Sequence, residues 1–113
     1  MHEYSIVQAL MSQVEAEARK HNATVVDRIQ LKIGELAGIE VDLLRTAFET
    51  FRARSICARA RLDIEVVPAK WSCPTCRELI EAGARLQCPE CQQPARLQSG
   101  DEILLQRIEM EAA

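Results

Sequence analysis

The chain has 113 residues, a formal net charge of −3, 48% hydrophobic residues and only four aromatics: Tyr4, Phe48, Phe51 and Trp71. That size allows one compact unit or two very small ones, the apolar content excludes a disordered chain, and the acidic balance argues against a general nucleic-acid binder held by phosphate contacts. No stretch reaches the roughly 20 apolar residues of a membrane span, and no charged-then-apolar leader is visible, so the reducing cytoplasm is the expected compartment, where cysteines bind metals or catalyse instead of pairing.

The first predicted element is a helix from Ser5 to about Lys20. Ile6, Val7, Leu10, Met11, Val14 and Ala18 recur at helical spacing opposite Gln8, Gln13, Glu15, Glu17 and Arg19. Glu3 lies at its start, where negative charge suits the helix dipole; Arg19, Lys20, His21 and Asn22 form its stop. Residues 24–34 then alternate, with Ile29, Leu31 and Ile33 on one side and Arg28, Gln30 and Lys32 on the other, as in a half-buried strand. "GELAG" is a loop bracketed by Gly34 and Gly38.

A second helix runs from Val41 to about Arg54 on Leu43, Leu44, Ala47, Phe48 and Phe51. A second strand alternates through Leu62, Ile64 and Val66 and stops at Pro68; a third begins near Ile103 with Ile103 and Leu105 inward, less regular toward Ile108 and Met110. The strand–helix–strand crossover predicts a parallel pair. The third strand is expected beside the second, because an inserted module leaves and re-enters its host at neighbouring points. The expected fold is α+β: a small three-stranded mixed sheet with both helices on one face, formed by residues 1–69 and 99–113, plus an inserted zinc-ribbon-like module at 70–98.

That insert holds four of the five cysteines and three of the four prolines. Cys73-Pro-Thr-Cys76 and Cys88-Pro-Glu-Cys91 are two C-x-x-C knuckles, each able to bring two sulfurs to one ion. Four thiolates make the closed tetrahedral set of structural zinc; a rubredoxin-like iron site and thiol redox chemistry share the spacing. A closed site leaves no position for an activated water. Cys57 stands outside both knuckles and reads as a small buried apolar residue.

Several short stretches together carry a family likeness: "MHE-x-S" at 1–5, "IGELAG" at 33–38, "AFE" at 47–49, "IEVVP" at 64–68, the "CPTC…CPEC" pair and "SGDEILLQRIE" near the end. In this order they resemble the HypA/HybF-type nickel metallochaperones of [NiFe]-hydrogenase maturation. The resemblance implies no catalysis, nickel held at the chain start by His2, and zinc on Cys73, Cys76, Cys88 and Cys91. It also implies delivery of Ni2+ to the hydrogenase large subunit precursor with a HypB-type nickel-insertion GTPase, without nucleic acid or membrane, as a monomer or weak homodimer.

The chemistry of "MHE" fits that expectation. The amine of Met1, the backbone nitrogen and imidazole of His2, and the backbone nitrogen of Glu3 can close fused chelate rings, and planar nitrogen donors suit Ni(II) or Cu(II). All must shed protons to bind, so affinity is expected to fall with pH. Glu3 also has two carboxylate readings, as a partner orienting the imidazole and as a helix-start acid; Glu40 is a further residue that would approach this end. His21 reads as a helix-end cation. Arg45, Arg52, Arg54, Arg59 and Arg61 form either a solvated face or a surface for an acidic partner. The competing function, a zinc-ribbon adaptor for nucleic acid or a protein complex, would want a basic module with exposed aromatics. Here the basic and aromatic residues of 71–98 are only Arg77, Arg85, Arg96 and Trp71.

Overall fold

The computed structural model describes residues 2–81 and 83–112. Helix α1 spans His2–Lys20, strand β1 Ala23–Gly34, helix α2 Val41–Arg52 and strand β2 Arg61–Val67; β3 (Lys70–Ser72), β4 (Leu79–Ile80) and β5 (Arg96–Ser99) follow, and β6 (Ile103–Ala112) closes the chain. β1 pairs in parallel with β2 and antiparallel with β6, while β4, β3 and β5 form a separate small antiparallel sheet. The radius of gyration of 18.0 Å exceeds the ~13 Å of a compact domain this long. The molecule is drawn out to 58 × 28 × 17 Å.

The core of the larger body joins Val7, Leu10, Met11 and Val14 of α1 to Leu44, Ala47 and Phe48 of α2, over Val26, Ile29, Leu31 and Ile33 of β1 and Leu62 of β2. Bulges explain why alternation blurs at both ends of the β1–β6 ladder. Asp27 is an extra residue between the Val26↔Met110 and Arg28↔Glu109 pairs, so Val26 and Ile29 are both buried although three apart. Gln106 is the extra residue on β6, which resets the phase between Leu105 and Ile108.

Three expectations are corrected. The third strand, β6, lies beside β1 instead of β2. The chain re-enters the body by crossing the end of β1: Gly34 donates to the Glu102 carbonyl (2.8 Å) and Leu36 to that of Gly100 (2.8 Å), which carries β6 to the far edge. α1 starts at His2, three residues before the expected start at Ser5, because a tertiary tie at Glu3 holds its first turn. Leu43 and Phe51 are 51% and 36% exposed, since α2 buries a narrower stripe than its apolar residues suggest. Of the five arginines near α2, Arg45, Arg54, Arg59 and Arg61 are exposed, which is the solvated face of the two readings, and several also bond to the fold. Arg45 donates to the Leu62 carbonyl (2.9 Å) and Arg52 to that of Ala60 (2.6 Å). Arg59 bridges Asp27 and Glu111, and Arg61 pairs with Asp63.

The crossing at Gly34 brings backbone against backbone. A Cβ on Gly34 would meet the Gly100 carbonyl carbon at 2.1 Å, and one on Gly100, at φ +112°, would meet Ala69 Cα at 2.4 Å. Neither neighbour is a side chain that can swing aside. Overpacking commonly costs 1–3 kcal/mol, so Gly34→Ala and Gly100→Ala are each expected to destabilise the body by about 3 kcal/mol or more. Urea unfolding with both midpoints near wild type would refute this.

Candidate metal centres

At the chain start, α1 and the loop before α2 meet. Glu3 is 4% exposed, and its Oε2 accepts the Glu40 backbone N–H at 3.2 Å. That bond and Glu3's own N–H hold its carboxyl down to about 2. The Glu40 side chain is exposed, so this residue reaches the chain start through its amide. His2 has a 61% exposed side chain, and its Nε2 lies 3.1 Å from the Gly38 carbonyl oxygen. The Glu3 carboxylate is 3.8 Å from the same nitrogen. Glu3 thus ties the starts of the two helices together. Met1 lies outside the described residues.

The second centre is built from two copies of one turn. Cys73 N–H donates to the Glu78 carbonyl (3.0 Å) and Arg77 N–H to the Cys73 carbonyl (2.9 Å). Cys88 N–H donates to Gln93 and Gln92 N–H to Cys88, both at 2.9 Å. The fourth residue after each leading cysteine is left-handed, Arg77 at φ 62° and Gln92 at φ 64°. Each knuckle therefore presents its sulfurs the same way. The four Sγ atoms lie within 4.8 Å of one another, with Cys73–Cys91 at 3.4 Å and Cys88–Cys76 at 4.0 Å.

A tetrahedral zinc with Zn–S bonds near 2.3 Å needs sulfurs about 3.8 Å apart, so the thiol set fits such an ion. Cys76 N–H donates to Cys73 Sγ at 3.2 Å. This bond leads in bringing the Cys73 thiol down to about 6, whereas the neighbouring sulfurs push Cys76 up to about 12. A cation held among the sulfurs would relieve that conflict. Cys57 is fully buried in the body, away from this cluster, as an apolar residue would be.

The neck between the two sheets has its own polar fastenings, which sequence patterns did not reveal. Glu35 N–H donates to the Val67 carbonyl (2.8 Å), and its Oε1 accepts Ala69 N–H (2.5 Å). Glu102 Oε1 accepts the N–H groups of Gly100 (2.8 Å) and Asp101 (3.0 Å). These two donors lower the Glu102 carboxyl below its ordinary value. A depressed folded-state pKa stabilises above the unfolded value, about 4.3, and that contribution fades as pH falls through the lower folded value. Glu102→Gln is therefore expected to be less stable than wild type at neutral pH, with the gap closing in acid. A gap constant from pH 7 to acid would contradict it.

Residues 1–110 match the HypA family, described as "Hydrogenase/urease nickel incorporation, metallochaperone, hypA". The hydrogenase maturation factor HypA of Shewanella oneidensis is 42% identical over 115 residues, covering all of this chain and 98% of that protein. The solution structure of the Ni metallochaperone HypA from Helicobacter pylori matches with a TM-score of 0.76 at 33% identity, over the full length of both chains. Another HypA solution structure gives a TM-score of 0.82, also at 33% identity.

Proposed function

Because the chain belongs to the HypA family of nickel-incorporation metallochaperones, which are not enzymes, we propose that it carries Ni(II) at the start of α1 and delivers it to the [NiFe]-hydrogenase large subunit precursor with a HypB-type GTPase. It works in the cytoplasm, as a monomer or weak homodimer. Residues 1–69 and 99–113 form the nickel-binding part, and residues 70–98 hold a structural zinc on Cys73, Cys76, Cys88 and Cys91.

The observation that carries this reading is the placement of His2: exposed, at the first turn of α1, with Nε2 turned to Gly38. Nickel is the cargo. The Met1 amine, the His2 backbone nitrogen and the Glu3 backbone nitrogen are three of its donors. From the His2 backbone nitrogen through Cα, Cβ and Cγ, only Nδ1 closes a six-membered ring with the ion; Nε2 faces the other side of the imidazole. The first four N–H groups of a helix lack intrahelical acceptors, so deprotonating these two amides breaks no helical hydrogen bond. Planar nitrogen donation favours nickel or copper over zinc, whereas the thiolate cluster favours zinc. The two metals are thereby kept apart by donor type.

A residue added before Met1 turns its amine into an amide and moves the free amine out of reach. Isothermal titration of the untagged chain should find nickel affinity falling as pH drops, because each donor must shed a proton to bind. The extended chain should lose high-affinity binding at every pH. Equal affinity in the two proteins would remove the amine from the donor set.

A further inference from the structure

We infer that the backbone carbonyl of Gly38 is a positioning group for nickel, fixing the His2 imidazole with its proton on Nε2 and its lone pair on Nδ1. The inference rests on the nickel reading above and assigns a role to a loop which that reading leaves idle.

A neutral imidazole carries one proton, and the hydrogen bond made by one ring nitrogen decides which nitrogen is left to bind a metal. A carbonyl oxygen only accepts. At 3.1 Å from His2 Nε2, the Gly38 oxygen therefore selects the Nε2–H form. The Glu3 carboxylate, at 3.8 Å from that nitrogen, is beyond hydrogen-bond distance. Rotating the ring to present Nε2 to an ion would forfeit the bond to Gly38.

The carbonyl is aimed by the local fold. Gly38 sits at φ +74°, in the left-handed region, and a Cβ there would meet nothing within 4 Å. Its requirement for glycine is thus conformational and not steric. On one side the loop is tied by Ala37 N–H to the Gly34 carbonyl (3.0 Å) and Leu36 N–H to that of Gly100 (2.8 Å). On the other, Glu40 N–H is bound by Glu3. Gly38 is held between these anchors, facing the first turn of α1.

Two substitutions separate this role from mere structure. Gly38→Ala penalises the left-handed conformation and should turn the carbonyl away. Gly38→Asn tolerates that conformation and should keep it. Long-range proton–nitrogen NMR of the untagged, zinc-loaded full chain, at a pH above the imidazole's ordinary value of about 6.5, reads the His2 tautomer directly. Wild type and Gly38→Asn should show Nε2–H. Gly38→Ala should show a mixture and bind nickel about tenfold more weakly, the low end of what losing an outer-shell partner costs, with zinc content unchanged. An Nδ1–H tautomer in wild type, or wild-type nickel affinity in Gly38→Ala, would overturn the inference. If His2→Ala itself keeps wild-type nickel affinity, the nickel reading fails and takes this inference with it. If His2→Ala loses nickel while Gly38→Ala does not, the positioning role alone is wrong.

Discussion

His2→Ala is expected to weaken nickel binding by at least about a hundredfold while leaving zinc content and unfolding unchanged. Removing an outer-shell partner of a metal site costs ten- to hundredfold, and His2 would be an inner donor, so its loss should exceed that range. The fold has little at stake in this side chain. It is 61% exposed, and its Nε2 meets a loop carbonyl at the edge of the fold. The neighbouring Glu3 supplies the tertiary tie and stays in place. His2→Gln is the useful companion: it can restore a hydrogen bond to Gly38 but offers no imidazole nitrogen. Both variants should fail alike in a nickel titration. A glutamine variant with native affinity would mean that His2 acts by shape and not as a donor.

Cys73→Ser and Cys91→Ser are expected to unfold residues 70–98 and release zinc. Among the described residues from 70 to 98, only Ser72, Cys73 and Cys88 are buried; Leu79 and Leu86 are 62% and 51% exposed. The module therefore has no apolar core, and β4 is only two residues long. A metal joining the two knuckles would supply the stability that this slight burial does not. Structural zinc supplies about 10–16 kcal/mol in small metal-dependent modules, so losing one thiolate cannot be absorbed locally. The body keeps its own core on α1, α2, β1 and β2. The serine variants should thus lose zinc by elemental analysis yet retain the body's cooperative unfolding. Cys57→Ala, altering the body alone, should keep a full complement of zinc. Serine variants that hold zinc and resist proteolysis between 70 and 98 would defeat the structural role.

Much of this was legible in advance, and the reason differs by element. α1 and β1 bury one side against a single core, so Val7, Leu10, Val14, Ile29, Leu31 and Ile33 report their period directly, whereas in β2 Leu62 is buried but Val66 is 52% exposed. The thiol cluster was legible because C-x-x-C spacing constrains geometry within a few bonds. Strand order was not. It depends on the chain crossing at Gly34 and Gly100, where the deciding feature is the absence of two side chains. The start of α1 was missed for a similar reason. Its first turn is held by a carboxylate gripping an amide 37 residues away, which leaves no periodic trace. Gly38 was visible only as a loop boundary, since a carbonyl has no residue-type signal.

X-ray absorption spectroscopy of the nickel-loaded, zinc-replete, untagged chain reads the nickel donors directly. Nickel surrounded by nitrogen donors is expected, with the multiple-scattering signature of one imidazole and no sulfur shell. Nickel bound to thiolate sulfur, without imidazole scattering, would contradict it.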